Sequence, residues 1–418
     1  MPPQPVRGTR DLFNEDLANY HYLVTTATSI IPLYGYQGIE TPIFEYTSVF
    51  QRSLGETSDI VGKEMYTFQD RSGKSITLRP EGTAPVTRAL ISAGLTQTLP
   101  QKRFYSGPMF RYERSQKGRY RQFYQLGVEC FGIDHPLIDV ECIALANHLL
   151  KAWGIQDSFL SINTLGDLES RQAYREALVN YFSRYVHDLS EDSQLRLTRN
   201  PLRILDSKDP KDQVLFAQAP LFGDYLTADS RHFFDQVMKG LSDLGIPFTH
   251  DQHLVRGIDY YCHTAFEFKS NSLGAQNALL AGGRYDGLMQ QLGGPSTPAV
   301  GWACGLDRLA LLLPPSTQAP PLRVAVIAIG DDLQTAGLQL AQQLRQANIM
   351  TDIPLSGNLS KRLKASDKSG CQLAILLGSE EYEHHQVKVR RLEANHPDKE
   401  KSVSIPELIP YLLSFGKV

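Results

Sequence analysis

Two hydrophobic spacings alternate along the chain, one helical and one extended. Leu17, Tyr20, Val24, Ala27 and Ile31 recur at steps of three and four. They predict an amphipathic helix with Asn14 as N-cap, running to about Tyr34 and stopped by Gly35. GIETPIFE at 38–45 predicts a strand; Pro42 cannot donate to a ladder, which favours a sheet edge or a subunit boundary. Residues 53–73 read as a polar loop and a short hairpin. ITLRPEGTAPVTRAL follows as a strand (Ile76 to Arg79), a turn at Glu81-Gly82 and a helix opened by Thr83 with Pro85 in its first turn. A long hairpin comes next: strand Phe104 to Glu113, loop Arg114 to Arg121, and return strand Gln122 to Cys130. On the return strand Tyr124, Leu126, Val128 and Cys130 share one face, and Phe123, Gln125, Gly127 and Glu129 the other.

Residues 136–153 predict a helix and FLSINTLGD a strand. From about Leu168 to Ile246 the texture turns helical and charge-rich around the loop NPLRILDSKDPKD, which predicts a helical module inserted into a sheet domain. The sheet pattern resumes at HLVRGIDYYCHTAFEF, continues through LLAGGRYDGL, and ends at AVGWACGLDRLALLL, a strand of small residues and an apolar helix carrying Arg308. Prolines at 314, 315, 320 and 321 mark the clearest domain boundary. Beyond it, strands at Val324 to Ile329 and Leu373 to Leu377 alternate with helices, predicting a small α/β domain with a largely parallel core.

The 418 residues are 42% apolar and 21% charged, which suits two or three soluble globular domains. No run of about 18 apolar residues predicts a membrane span, and no leader pattern opens the chain, so a cytoplasmic protein is expected. Five widely spaced cysteines without a CxxC pair predict reduced thiols, and the histidines show no metal-ligand spacing. Net charge is only −3, yet residues 101–121 hold seven basic side chains against the single acid Glu113, a patch suited to phosphate.

The hairpin can gather Arg111, Glu113, Gln125 and Glu129 on one face; that arrangement fits a polar, anionic ligand, and equally a solvated sheet face. Glu81 and Thr83 are able to hold an ammonium group or merely to cap a helix. Arg256, beside Gly257 and the pair Tyr260-Tyr261, offers a cation and aromatic walls, or an ordinary packed hairpin. Arg308 at a helix start calls for an anionic partner. Lys361, Arg362, Lys364 and Lys368 cluster on one helix, by default a solvated face.

RGTRDL at 7–12, RPEGT at 79–83, FRYERSQKGRYRQFYQLGVE at 110–129, LVRGIDYY at 254–261 and GLDRL at 305–309 together resemble the histidyl-tRNA synthetase family of class II aminoacyl-tRNA synthetases. RGIDYY is the narrow signature; the arginine hairpin and GLDRL are similar to features shared across class II. The resemblance implies an α+β catalytic domain over 1–320 with an antiparallel six-stranded class II sheet and a helical insertion at about 168–246. It also implies a C-terminal α/β anticodon-binding domain over 321–418 and a homodimer. The implied reaction joins L-histidine to ATP, releasing pyrophosphate, and passes the histidyl group to tRNA(His), with Mg2+ on the β- and γ-phosphates and no metal held by the protein. Arg111 and Arg256 would be the catalytic cations at the α-phosphate, Arg256 standing where other class II enzymes use a metal; Arg308 and Arg119 would face the γ-phosphate and Glu113 the adenine. Histidine would lie among Glu81, Gly82, Thr83, Arg111, Gln125, Glu129, Arg256, Tyr260 and Tyr261, with Glu129 and Tyr261 on the two imidazole nitrogens. Arg114, Gln116 and Arg121 would meet the tRNA acceptor end. The alternative is a catalytically silent paralogue serving as the histidine-binding regulatory subunit of ATP phosphoribosyltransferase, which typically lacks the C-terminal domain and the full arginine set.

Overall fold

A computed structural model describes the chain except residues 1–2, 56–59, 115, 208, 217, 259, 274–276, 315–320, 393–399 and 416–418. The chain divides into two compact units, Met1–Pro314 and Pro315–Val418.

Among the described residues, eleven strands build the first unit: β1 (Gln37–Gly38), β2 (Phe44–Tyr46), β3 (Tyr66–Gln69), β4 (Ser75–Leu78), β5 (Gln101–Phe110), β6 (Gln122–Phe131), β7 (Phe159–Thr164), β8 (Phe248–His250), β9 (Cys262–Lys269), β10 (Ala278–Arg284) and β11 (Ala299–Gly305). The main sheet runs β1-β5-β6-β11-β10-β9-β7-β8, and β2-β4-β3 form a small sheet beside it. The main sheet is therefore eight-stranded and mixed, not six-stranded and antiparallel as expected. Its six inner strands are antiparallel, while β1 pairs parallel with β5 and β8 parallel with β7. Both edge strands pair across long connections, which permit parallel pairing.

Helices cover one face of this sheet. Leu23 and Ala27 from Asn14–Ile30, Ile143, Ala146 and Leu149 from Pro136–Ala152, and Phe234, Val237 and Leu241 from Ala228–Asp243 pack on Leu126, Val128 and Cys130 of β6. On the opposite face a second core holds Phe50, Val86, Leu90, Tyr105, Met109, Tyr260, Tyr261 and Tyr285. The buried pair Arg284–Asp139 ties the end of β10 to helix Pro136–Ala152. Removing one partner of such a pair typically costs about 3–5 kcal/mol, because the other charge is stranded.

Three local expectations change. Phe13, not Asn14, occupies the N-cap; Asn14 is the first helical residue, at φ 51°, and no side chain caps the helix. Pro42 falls between β1 and β2 rather than inside a strand, so GIETPIFE is two short strands around an unladdered proline. The inserted segment has a core of its own, built on Tyr174, Leu178, Phe182, Leu197, Ile204 and Phe222, but helix Ala228–Asp243 belongs to the main core. At the neck, Asp167 accepts hydrogen bonds from Ser170 N at 2.7 Å and Thr227 Oγ1 at 2.6 Å, clasping the departing and returning chain.

The second unit is a sheet ordered β13 (Met350–Asp352), β12 (Arg323–Ala328), β14 (Leu373–Leu377), β15 (Gln386–Arg391) and β16 (Glu400–Ser404). β13, β12 and β14 are parallel, and β15 and β16 continue antiparallel. Its helix Gln334–Gln346 buries Leu340, Ala341 and Leu344. On Leu359–Lys368 the lysines 361, 364 and 368 are exposed, but Arg362 turns inward and donates to Ala328 O at 2.8 Å, so it leaves the surface cluster.

Candidate active site

The strand-to-helix turn after β4 and the centre of β6 make a closed polar pocket. Glu81 accepts from the N–H groups of Thr83 at 2.7 Å and Ala84 at 2.8 Å, so it caps helix Thr83–Ser92. Thr83 Oγ1 donates to Glu129 Oε1 at 2.7 Å, and the Tyr285 hydroxyl donates to Glu129 Oε2. Gly82 N donates to Gln125 Oε1 at 3.1 Å, and Tyr105 OH to the same oxygen at 3.3 Å. Cβ atoms at Gly127 and Gly301 would collide with the Tyr105 ring and with Glu129, so glycine at these two positions makes the pocket possible. Tyr260, Tyr261 and Tyr285 wall it, with ring centroids 4.6, 5.4 and 6.2 Å apart in pairs.

This pocket is nearly dry, and its electrostatics follow from that. Glu81 and Glu129 are 4% and 1% exposed. Burial raises Glu81 above the ordinary carboxyl range and pushes Glu129 up to about 8, against hydrogen bonds from Tyr285 and Thr83 that favour its anion. Burial likewise raises Tyr105, Tyr260, Tyr261 and Tyr285 above 10, so their hydroxyls stay protonated and serve as donors.

A second, more open cavity of about 190 Å³ adjoins it, and Gln125 lines both. Arg111, Glu113, Arg119, Phe123, Asp307 and Arg308 form its polar rim. Pro80 O accepts from Arg111 Nε at 2.8 Å, and the guanidinium lies over Phe123 at 5.3 Å. Glu113 faces Arg119 at 3.0 Å and Arg111 at 3.7 Å. Asp307 is committed elsewhere, to Arg10 at 2.7 Å and to the N–H of Tyr124 at 2.8 Å. Arg308 donates to Ala278 O at 2.8 Å, and both its burial and the positive charge of Arg119 lower its pKa. Cations crowding around a cavity in this way fit a polyanion.

Arg256 is not among the residues that line this cavity. It sits 3.5 Å from Glu267 and over the face of Tyr261 at 5.5 Å, which joins it to the carboxylate pocket through that tyrosine. The tip of the hairpin splits by exposure. Arg114 and Gln116 are exposed, whereas Arg121 stacks on Tyr112 at 3.8 Å, and its N–H donates to Gly8 O. The structure thus brings Glu81, Gly82, Thr83, Gln125, Glu129, Tyr260 and Tyr261 together, gathers Arg111, Glu113, Arg119 and Arg308 beside them, and leaves Arg114 and Gln116 in solvent.

Residues 8–309 match the family described as histidyl-tRNA synthetase, and residues 323–415 match the anticodon binding domain. The chain belongs to the histidyl-tRNA synthetase family. A histidine–tRNA ligase of Gluconobacter oxydans is 51% identical over 415 residues, 99% of either chain. Another, of Gluconacetobacter diazotrophicus, is 51% identical over 410 residues, 98% of either chain. The apo histidyl-tRNA synthetase of S. aureus is 35% identical with a TM-score of 0.83, covering 98% of this chain and 99% of that one. The class II catalytic fold and the anticodon-binding domain expected from the sequence are thereby established, apart from the strand count corrected above.

Around this candidate site, sequence reading missed four residues. Tyr285 lies in LLAGGRYDGL, read only as continuing the sheet pattern, and Tyr105 in the outgoing hairpin strand, where it was given no role. Glu267 sits between Arg256 and Lys269, at 3.5 and 3.6 Å. Arg10 stacks on Tyr120 at 4.3 Å and reaches Asp307, its partner across most of the catalytic unit. The only signal for Arg10 was its place in RGTRDL.

Proposed function

We propose that the chain activates L-histidine with ATP to form histidyl-adenylate and pyrophosphate, then transfers the histidyl group to the 3′ end of tRNA(His). The observation that carries this is a dry two-carboxylate pocket and a cation-rimmed cavity sharing Gln125, within a chain of this family. Glu81, Thr83 and Gln125 hold the ammonium group, and Gly82 shapes the turn between them. Glu129 and Tyr261, with Tyr260 alongside, take the two imidazole nitrogens, Tyr285 holding Glu129 in place. A pocket that hydrogen-bonds both ring nitrogens rejects analogues lacking them by about 10⁴–10⁵.

The histidine carboxylate attacks the α-phosphorus of ATP, and the bond to the pyrophosphate oxygen breaks. Negative charge builds on the α-phosphoryl oxygens, where Arg111 and Arg256 supply fixed positive charge. Arg119 and Arg308 take the γ-phosphate end, and Glu113 the adenine side. In the second step a 3′-terminal hydroxyl of tRNA attacks the histidyl carbonyl, and AMP leaves. Among the described residues no group of three or more His, Cys, Asp and Glu side chains fits a metal ion. Magnesium would accompany the β- and γ-phosphates of ATP.

Arg114, Gln116 and Arg121 meet the acceptor end, and residues 321–418 read the anticodon, with 1–320 as the catalytic part. Two copies pair through the apolar side chains exposed near the start of the chain, among them Leu33, Ile43, Phe44, Tyr46 and Phe68. No described helix is long and apolar enough to cross a membrane, in keeping with a cytoplasmic place of work. The regulatory-subunit alternative is not favoured, because full-length relatives at about half identity carry the ligase name.

Pyrophosphate exchange measured with each of the twenty amino acids tests the reading. Histidine alone is expected to drive it; exchange driven equally by another amino acid, or by none, overturns it. Truncation after about residue 320 is expected to spare exchange and abolish tRNA charging, and equal loss of both would make the second unit structural.

A further inference from the structure

The loop NPLRILDSKDPKD has no part in the chemistry above, yet one of its residues reaches the site. Arg203 lies in the short helix Pro201–Asp206 of the inserted module and is only 9% exposed. Its Nη2 donates to the carbonyl of Gly257 at 2.6 Å. Gly257 directly follows Arg256, and Val255, directly before it, packs against the module's own core. Both chain neighbours of Arg256 are therefore held by the insertion.

The segment needs such holding. Between β8 and β9 the described residues form no strand or helix, so no ladder fixes their backbone. Asn163 of β7 anchors the first part, donating to Gln252 O at 3.3 Å and Leu254 O at 2.9 Å. Arg203 anchors the second. Arg196 in turn donates to Arg203 O at 3.3 Å, so the short helix is itself braced by the helix Glu191–Arg199. Arg203, Arg256 and Tyr261 also border one small cavity of about 30 Å³.

We infer that Arg203 is a positioning residue: the inserted module, through the Arg203–Gly257 hydrogen bond, sets the aim of Arg256 at the reacting phosphate. This rests on the reading of Arg256 as the cation at the α-phosphate. A guanidinium delivered from an unladdered segment gains reactivity from being held, and a misplacement of about 1 Å costs on the order of 10²-fold in rate. The insertion then acts in the first half-reaction, before any tRNA is bound.

Pyrophosphate exchange by the full chain without tRNA tests this. Arg203→Ala is expected to lower kcat about 10²-fold while KM for ATP changes little, and Arg203→Lys, which keeps a donor on a flexible stem, to fall between. The double variant with Arg256→Ala is expected to be no slower than Arg256→Ala alone. An unchanged kcat in Arg203→Ala, or effects that multiply in the double variant, would overturn the inference. If Arg203→Ala fails to fold, Arg203→Lys decides: a kcat equal to that of the parent overturns it. Should Arg256→Ala itself leave exchange unchanged, the reading of Arg256 falls, a result distinct from failure at Arg203 alone.

Discussion

The carboxylate pocket and the cation-rimmed cavity share one hairpin and one glutamine, yet they are built on opposite principles. In the pocket, every polar group that carries the chemistry is met by another from the protein: Glu129 by Thr83 and Tyr285, Glu81 by two backbone N–H groups, Gln125 by Gly82 and Tyr105. In the cavity, Arg111 and Arg119 both face Glu113, Arg308 donates to a backbone carbonyl, and Asp307 is engaged by Arg10 and Tyr124. The first region is preorganised for a small, neutral-to-cationic ligand with many hydrogen-bonding atoms. The second keeps surplus positive charge for a ligand that brings its own negative charge. On the proposed function, specificity would reside in the pocket and rate in the cations.

Arg256→Ala is the largest lever on this division. Histidyl-adenylate formation is expected to drop by at least about 10²–10³ while ATP binding changes less, read by single-turnover and equilibrium measurements. A comparable loss in both would place Arg256 with the binding cations instead. Tyr285→Phe removes one donor to Glu129, and a buried acceptor left without its partner costs about 1–3 kcal/mol. KM for histidine is expected to rise roughly tenfold or more with KM for ATP unmoved; an unchanged histidine KM would remove Tyr285 from the pocket.

The smallest effect concerns stability. Glu129 titrates at about 8 in the fold against an ordinary 4.5, so the native state keeps a proton that the unfolded chain has released. The contribution is fully present below the unfolded value and is lost as pH rises through about 8. Glu129→Gln cannot ionise, so its melting temperature relative to the parent is expected to rise between about pH 5 and pH 8. A difference flat with pH would contradict the dry, carboxyl-raising environment.

What the sequence disclosed followed from periodicity. The return strand's alternation put Gln125 and Glu129 on one face because strand geometry alone demands it, and its span, Gln122–Phe131, differs from the reading by one residue. The outgoing strand begins at Gln101 and ends at Phe110, and Arg111, whose N–H still donates to Arg121 O at 2.9 Å, lines the cavity from just past its end. The parallel pairings of the edge strands β1 and β8 were invisible because two or three residues carry no period. Tyr285 escaped because only the pairing of β10 with β11, and of β11 with β6, carries it to Glu129, 156 residues away in sequence. Arg10 meets Asp307 across 297 residues, a contact no local pattern encodes. Arg362 was misread for the opposite reason: spacing grouped it with exposed lysines, but its guanidinium satisfies a buried carbonyl.

Equilibrium binding of histidine and of ATP to Glu129→Gln and to Arg308→Ala tests the two-region account most directly. The expected pattern is crossed: Glu129→Gln loses histidine affinity and keeps ATP affinity, while Arg308→Ala loses ATP affinity and keeps histidine affinity. Equal weakening of both ligands by either variant would contradict it.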